Sequence, residues 1–217
     1  MRARWRPTPQ QLVQVLIGLW LFGMGEALVV SSELGNSPWT VFAEGVSKHT
    51  PLSIGGATLV TSFFVLLCWI PLREVPGLGT VLNAIVIGIS IDATLALLPH
   101  LDSLTVRWVA LLGGIALVGF ASGLYLTAAL GPGPRDGLMT GLHARFGWPL
   151  AAVRTAIEVT AVSIGWILGG TVGIGSVLFA LLIGHAVSFA VRRIGPYAAA
   201  PRVRPVRPTA AARGGVR

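Results

Sequence analysis

The second half of this 217-residue chain repeats the first at a constant offset of 96 residues. The segment Leu34-Gly35-Asn36-Ser37-Pro38 is matched by Leu130-Gly131-Pro132-Gly133-Pro134. Glycines keep the same register throughout, as in the pairs Gly18/Gly114, Gly23/Gly119, Gly45/Gly141, Gly77/Gly173 and Gly79/Gly175. Each copy contains three apolar runs, and an odd number of spans makes the second copy enter the membrane from the opposite side. Such inverted repeats are typical of secondary transporters.

The composition decides the class of protein. Apolar residues make up 53% of the chain, charged residues 11%, and the mean hydropathy is +0.77, which together exclude a water-soluble domain. The net charge of +8 does not indicate nucleic-acid binding, because the basic residues flank apolar runs instead of forming one patterned face. The expected partner is therefore the lipid bilayer. Cys68 is the only cysteine, so no internal disulfide can form.

Six apolar stretches are long enough to cross a hydrocarbon core of roughly 30 Å. They lie near Leu12 to Val30, Ser53 to Leu72, Leu78 to Pro99, Trp108 to Leu130, Pro149 to Gly170 and Val172 to Val191. They predict a cytoplasmic segment at 1–11, repeat one at 12–99, repeat two at 108–193, and a disordered basic cytoplasmic tail at 194–217. The first run is too long for a signal peptide and no small-residue cleavage site follows it.

The distribution of lysine and arginine predicts the orientation. Thirteen basic residues fall on the cytoplasmic side if the N-terminus is inside, and only Lys48 and Arg107 fall outside. Without the five arginines of the tail the ratio is still eight to two. The sequence therefore predicts a multi-pass protein of the bacterial plasma membrane with both termini in the cytoplasm.

A short helix is predicted after the first span of each repeat. Ser37-Pro38 and Gly133-Pro134 both resemble a helix N-terminus, with a capping residue followed by proline at the first helical position. Each helix is expected to lie at the interface and anchor a loop. The alternative is that one of them enters the membrane, where its free amide groups can receive an anion. Arg135 and Asp136 of the second loop are candidate functional residues.

The strongest candidates for function are the ionisable residues inside the spans, because each costs several kcal/mol when it faces lipid. They are Glu26, Asp92, Arg154, Glu158 and His185. Arg154 and Glu158 stand four residues apart on one helix face, where they can form either a structural ion pair or part of a binding site. Depth along the helices predicts two sites, an outer acidic one with Glu26 and Asp92 and an inner one with Arg154, Glu158 and His185.

Glycines inside the spans favour close helix packing, since small side chains let backbones approach in a membrane. The glycines that carry this prediction are Gly18, Gly23, Gly113, Gly114, Gly119, Gly123, Gly165, Gly169 and Gly184. The spacing of Gly114, Gly119 and Gly123 fits either internal packing or the contact face of a homodimer or of a partner membrane protein.

Four motifs resemble those of a known family. They are Pro71-Leu72-Arg73 leading to Pro76-Gly77-Leu78-Gly79-Thr80, Gly131-Pro132-Gly133-Pro134-Arg135-Asp136-Gly137-Leu138-Met139, Val153-Arg154-Thr155-Ala156-Ile157-Glu158-Val159, and Gly169-Gly170-Thr171-Val172-Gly173-Ile174-Gly175. The chain resembles the YczE-like bacterial membrane proteins, a group that includes YyaS and is placed loosely with the YitT family. The resemblance implies a multi-spanning membrane architecture and leaves the activity open.

The sequence thus predicts an all-α membrane protein of two inverted three-helix repeats, with a short interfacial helix after the first span of each. The leading functional hypothesis is a transporter or permease for a small anionic or zwitterionic solute, with Arg154 as counter-ion and Glu158 or His185 handling protons. The alternative is a membrane scaffold, or a substrate-capture subunit of a larger complex. The motifs of hydrolases, metalloproteases and phosphate loops are absent from the sequence, so no enzyme, metal site or cofactor is expected.

Overall fold

The computed structural model describes residues 2–195 and contains only helices over that range. The predicted tail lies outside the described residues from position 196 onward. A short 3-10 turn at Arg2–Trp5 precedes the helices α1 (Pro9–Ser32), α2 (Pro38–Ser47), α3 (Ile54–Leu67), α4 (Trp69–Leu72), α5 (Leu78–Leu97), α6 (Leu104–Thr127), α7 (Pro134–Phe146), α8 (Leu150–Ile167) and α9 (Ile174–Ile194).

Six helical segments among these are long and apolar enough to cross a membrane, which confirms the predicted all-α, six-span architecture. Five of them are single helices, and the sixth, Ile54–Leu72, joins α3 to α4 through Cys68. The boundaries differ slightly from the prediction. Helix α1 begins at Pro9 because the Thr8 hydroxyl accepts a hydrogen bond from the Gln11 amide, a cap that extends the helix before its apolar run.

The order of helices recurs along the chain at the spacing of the repeat. Helices α2 and α7 begin at Pro38 and Pro134, and α5 and α9 at Leu78 and Ile174, in each case 96 residues apart. Helices α3 and α8 keep the same spacing at their first residues. Both prolines occupy the first helical turn as predicted, where the missing amide hydrogen costs nothing.

The two halves of the chain exchange equivalent backbone contacts. The Gly79 amide donates to the Leu130 carbonyl at 2.9 Å, and the Gly175 amide donates to the Leu34 carbonyl at 2.7 Å. These donors are repeat equivalents of each other, and so are the acceptors. Gly35 and Gly131, which follow the two acceptors, have φ values of +116° and +125°, a left-handed conformation that favours glycine. Each half therefore holds the start of the other half's last helix.

Helices α1 and α6 form the centre of the molecule and pack through glycines. A Cβ added at Gly25 would lie 2.9 Å from the Gly114 carbonyl oxygen, and one added at Gly18 would lie 3.2 Å from the Ala121 carbonyl oxygen. Backbones approach this closely only where side chains are absent. Val15, Leu19, Leu111 and Val118, all almost fully buried, complete this core.

The predicted packing role holds for most of the glycines but not for all of them. Gly119 and Gly123 face Ala186 and Ala190 of the same chain, so this glycine face is used for internal packing of α6 against α9. The prediction that Gly113 and Gly184 pack closely against another helix is wrong. A Cβ at either position meets no atom within 4 Å.

A polar cluster on α2 connects the two halves on one side of the molecule. The Glu44 carboxylate accepts hydrogen bonds from the Asn36 side chain and from the amide and hydroxyl of Thr171, all at 2.7 Å, and pairs with Lys48 at 2.8 Å. Burial alone raises the pKa of Glu44, but the bonds from Lys48 and Thr171 outweigh it and bring the pKa below its usual value. Glu44 therefore fixes α2 to the segment that precedes α9.

Candidate functional site

A cavity of about 420 Å³ lies between the two halves and receives side chains from α1, α2, α3, α5, α6, α7, α8 and α9. Cavities of this size hold small organic molecules. Its polar lining includes Glu26, Ser37, Trp39, Thr58, Ser62, Asn83, Ser122, Tyr125, Arg135, Asp136, Arg154, Glu158 and Ser188. Five of the seven candidates from the sequence, including both residues of the second loop, are therefore brought to one cavity.

The N-termini of two short helices meet at this cavity. Ser37, Pro38 and Trp39 of α2 line it, and so do Gly133 and Arg135 of α7. Neither helix has a side-chain cap on its first amides. The uncapped amides give each end a partial positive charge that favours an anion. Helices predicted to lie at the interface thus direct their first turns into the interior of the protein.

Trp39 and Arg135 are repeat equivalents, and they contact each other. The guanidinium carbon of Arg135 lies 4.9 Å from the centre of the Trp39 ring, a cation–π contact. The first turns of α2 and α7 therefore meet at this contact.

Glu26 is buried beside the first turn of α2. Its Oε2 atom accepts hydrogen bonds from the Ser37 hydroxyl at 2.8 Å and from the Thr40 hydroxyl at 2.7 Å. Its Oε1 atom is buried and has no hydrogen-bond partner among the described residues. The hydroxyl of Ser37, the predicted cap of α2, thus donates to Glu26 and does not cap its own helix. The first amides of α2 therefore have no side-chain cap.

The guanidinium group of Arg135 forms no hydrogen bond and no ion pair with any described residue. Burial lowers the pKa of Arg135 from its usual value, and the carboxylates of Glu26 and Asp136 act in the opposite direction. The group nevertheless stays charged, because a guanidinium titrates far above neutral pH. Asp136, the next residue, is engaged by the Tyr125 hydroxyl at 3.0 Å.

Arg154 and Glu158 form the ion pair that the sequence predicts, with Nε and Oε1 3.0 Å apart. The Arg154 side chain is half exposed. Both residues also border a second space of about 360 Å³ between α8 and α9, together with His185 and Ser188. The structure therefore brings Arg154, Glu158 and His185 to one cleft, as the inner site of the prediction requires, and this cleft opens into the central cavity.

Asp92 lies elsewhere. It is absent from the lining of the cavity, and its carboxylate accepts hydrogen bonds from the Ser53 hydroxyl and from the Gly55 amide, the latter at 2.8 Å. It therefore ties the N-terminus of α3 to α5. The predicted outer site containing both Glu26 and Asp92 is not formed, because similar depth along two helices does not place two side chains on facing surfaces.

The last two spans of each half form equivalent helix pairs, but these pairs are arranged differently. Helices α3 and α5 pack tightly, and a Cβ at Gly88 would lie 2.6 Å from the Gly55 carbonyl oxygen. Their counterparts α8 and α9 have no comparable packing, and Gly184, the equivalent of Gly88, faces open space. Ser188 takes the place of Asp92, and among the described residues its hydroxyl donates only to the Gly184 carbonyl of its own helix, at 2.8 Å.

Sequence reasoning did not assign Trp39, Tyr125 or Asn83 to the site. The signal for Trp39 was its register, since it is the repeat equivalent of Arg135 and follows the proline of α2. Tyr125 and Asn83 carry no comparable signal, because a single polar group in an apolar helix does not reveal which face it occupies.

The comparisons with known proteins agree with this architecture. A family model described as a family of unknown function, DUF6198, matches residues 9–192. The chain belongs to this family. It is 42% identical over 185 residues to an uncharacterized protein of Haemophilus influenzae, a match that covers 85% of each chain.

Two relatives from Bacillus subtilis confirm the predicted resemblance. The uncharacterized membrane protein YczE is 34% identical over 183 residues, covering 80% of this chain and 82% of its own. The uncharacterized protein YyaS is 28% identical over 172 residues, covering 77% and 86%. No solved structure matches the chain significantly. The DUF6198 protein is thus a multi-spanning membrane protein, and its activity must be argued from the cavity.

Proposed function

We propose that this DUF6198 protein is a secondary transporter for a small solute, and that its two halves expose the central cavity alternately to the two sides of the membrane. The observation that carries the proposal is the asymmetry of equivalent helix pairs, with α3 and α5 closed by Asp92 while α8 and α9 stand apart. Alternating access requires one gate to be shut while its counterpart is open.

The proposal includes an inverted repeat. Support comes from the exchanged bonds of Gly79 with Leu130 and of Gly175 with Leu34, and from the contact of Trp39 with Arg135. A two-fold relation between the halves accounts for all three contacts. Three spans in each half then make the axis lie in the membrane plane, which is the arrangement of many transporters built with broken helices at the binding site.

The proposed orientation places both termini in the cytoplasm of a bacterium, with the protein in the plasma membrane, because arginines concentrate on that side. In this orientation the bonds of Asp92 to α3 close the outer side. The cleft between α8 and α9, with Arg154 and His185, opens toward the cytoplasm. The structure then corresponds to an inward-open state.

A test that needs no known solute uses a reporter thiol in the cavity. Ser122 lines the cavity, and Ser122→Cys is made in a Cys68→Ser background, since Cys68 is exposed. A small membrane-impermeant thiol reagent is then applied to right-side-out and to inverted vesicles. Labelling from both sides is the expected result, because the two gates open in turn.

The second arm locks the outer gate. Ser53→Cys and Asp92→Cys replace a hydrogen-bonded pair by two thiols that a short bifunctional reagent can bridge. After bridging, the reporter should react only from the cytoplasmic side. If the two thiols are joined by a disulfide instead, its reduction should restore reaction from outside. Labelling from one side before any lock is applied would contradict alternating access and favour a substrate-capture subunit.

The scaffold alternative has less support from the contacts. Its proposed partner surface was the glycine face of α6, and Gly119 of that face packs against Ala186 within the chain. Gly119→Leu is therefore expected to destabilise the protein itself, as measured by a lower melting temperature in detergent. A melting temperature equal to that of the original protein, combined with loss of a co-purified partner, would support the scaffold.

A further inference from the structure

We propose that the ligand of the central cavity is a small zwitterion such as an α-amino acid, with its acidic group at Arg135 and its ammonium group at Glu26. This inference rests on the proposed function for the direction of traffic, but the binding site itself is argued from the side chains. Among the described residues, the charged groups of the cavity without a hydrogen-bond partner are the Arg135 guanidinium and the Oε1 atom of the Glu26 carboxylate.

The other charges around the cavity are already engaged. Asp136 accepts the hydrogen bond of the Tyr125 hydroxyl at 3.0 Å. Arg154 and Glu158 neutralise each other at 3.0 Å. A ligand that carries one negative and one positive group therefore offers a partner to each of the two remaining groups and adds no net charge to the cavity.

The acidic end of the ligand has three sources of stabilisation at one place. Arg135 offers a planar set of donors that matches a carboxylate. The first amides of α2 and α7 are uncapped and face the same space. Arg135 lies over the Trp39 ring, and the indole nitrogen of that ring is a buried donor without an acceptor among the described residues.

The ammonium end is assigned to Glu26 because of an orphaned oxygen. Glu26 is only 2% exposed, and its Oε1 atom has no donor, while Oε2 accepts from Ser37 and Thr40. An unpaired buried carboxylate oxygen is costly, so a donor is needed during the working cycle. An ammonium group from the cavity supplies both the donor and the opposite charge.

The two ends are close to each other. Glu26 bonds to Ser37 and Thr40, which flank Trp39 in the first turn of α2, and Arg135 lies on the Trp39 ring. Both partners therefore contact the same turn of α2, which fits a ligand whose two charged groups stand close together. The volume of about 420 Å³ leaves room for a side chain.

The test measures thermal stabilisation of the purified full-length protein by the twenty standard amino acids. A ligand that binds the folded state raises the melting temperature by mass action. For the amino acid with the largest effect, dissociation constants are then compared with those of its analogue without the amino group and of its analogue without the carboxylate. Each analogue should bind at least about tenfold more weakly, a loss of about 1.4 kcal/mol.

Variants assign the two ends. Glu26→Gln should weaken the amino acid about tenfold and leave the deaminated analogue within about twofold, whereas Arg135→Gln should weaken the deaminated analogue and the amino acid alike. Glu33→Gln is the matched control, a carboxylate outside the lining of the cavity that is paired with Arg107, and should change neither constant by more than about twofold. Binding of the deaminated analogue by Glu26→Gln shows that this variant is folded.

The inference is overturned if no amino acid stabilises the protein, or if the acid or the amine alone binds as tightly as the amino acid. It is also overturned if Glu26→Gln binds the amino acid as well as the original protein does. Failure of the proposed function has a different signature. An amino acid then binds as described, but the thiol reporter in the cavity reacts from only one side of the membrane.

Discussion

The two halves of this DUF6198 protein share a sequence framework but pack equivalent helices differently. In the first half, α3 and α5 touch through Gly55 and Gly88 and are held by Asp92. In the second half, α8 and α9 separate, and the equivalent of Asp92 is Ser188, which bonds within its own helix. The shared residues recur in both halves, whereas the unshared Asp92 adds hydrogen bonds that hold the first pair together.

The largest effect is expected from Asp92→Ala. The variant loses the bonds from Ser53 and Gly55, and a hydrogen bond to a charged acceptor contributes about 1.5–3 kcal/mol. Loss of one such bond changes the equilibrium constant by about tenfold or more in favour of the state with α3 and α5 apart. The outside labelling rate of a Ser122→Cys reporter measures it. Ser188→Ala is the matched control and should leave the rate unchanged.

The glycines of the two pairs give a second matched comparison. Gly88→Ala places a Cβ 2.6 Å from the Gly55 carbonyl oxygen and should cost about 1–3 kcal/mol of stability by overpacking. Gly184→Ala meets no atom and should stabilise α9 by about 0.5–1 kcal/mol in the present state. Melting temperatures should move in opposite directions. Equal destabilisation by both variants would mean that α8 and α9 are packed in the protein.

The Glu44 cluster, which joins the first half to Thr171 of the second, should make stability depend on pH. Because the folded pKa of Glu44 lies below its usual value of 4.5, its contribution is full above that value and is lost as the pH falls through the folded pKa. Glu44→Gln should cost about 1–3 kcal/mol at neutral pH, since the bonds from Asn36, Lys48 and Thr171 are weakened. Melting curves of the variant should also depend less on acid pH, and an unchanged pH dependence would exclude Glu44 as its source.

The smallest effect is expected from Arg154→Gln. The side chain is half exposed and its pair with Glu158 spans one helical turn, so stability should change by less than about 0.5 kcal/mol. The sequence alone favoured Arg154 as the counter-ion of the solute, whereas the structure pairs it with Glu158 where the cavity and the cleft share their lining. Ligand affinity should therefore fall less than in Arg135→Gln. A larger loss of ligand affinity in Arg154→Gln than in Arg135→Gln would place the anion-binding site in the cleft between α8 and α9.

Much of the fold was predictable because it depends on local chemistry and on the repeat. Apolar length predicts the spans, and the prolines at positions 38 and 134 predict where the short helices begin. The partners of Glu26 and Asp92 were not predictable. The order of residues gives depth along a helix but not the rotation of the helix about its axis, so Glu26 reaches Ser37 while Asp92 reaches Ser53.

The open cleft was also beyond the sequence. Gly88 and Gly184 are equivalent residues with similar neighbours, yet one is packed against Gly55 and the other faces open space. Under the proposed alternating access, their difference reflects one of two conformational states, and a sequence encodes both. The asymmetric residue Asp92 was the available signal that the first pair has an additional way to close.

The central claim is that the two helix pairs close in turn, and it is tested most directly by one distance. Spin labels at Leu150→Cys and Phe189→Cys, both exposed positions of α8 and α9, report the width of the cleft in a Cys68→Ser background. Pulsed electron resonance is then recorded with Asp92 intact and with Asp92→Ala. The account predicts a long distance in the first protein and a new, shorter population in the second. Identical distributions in both proteins would contradict it.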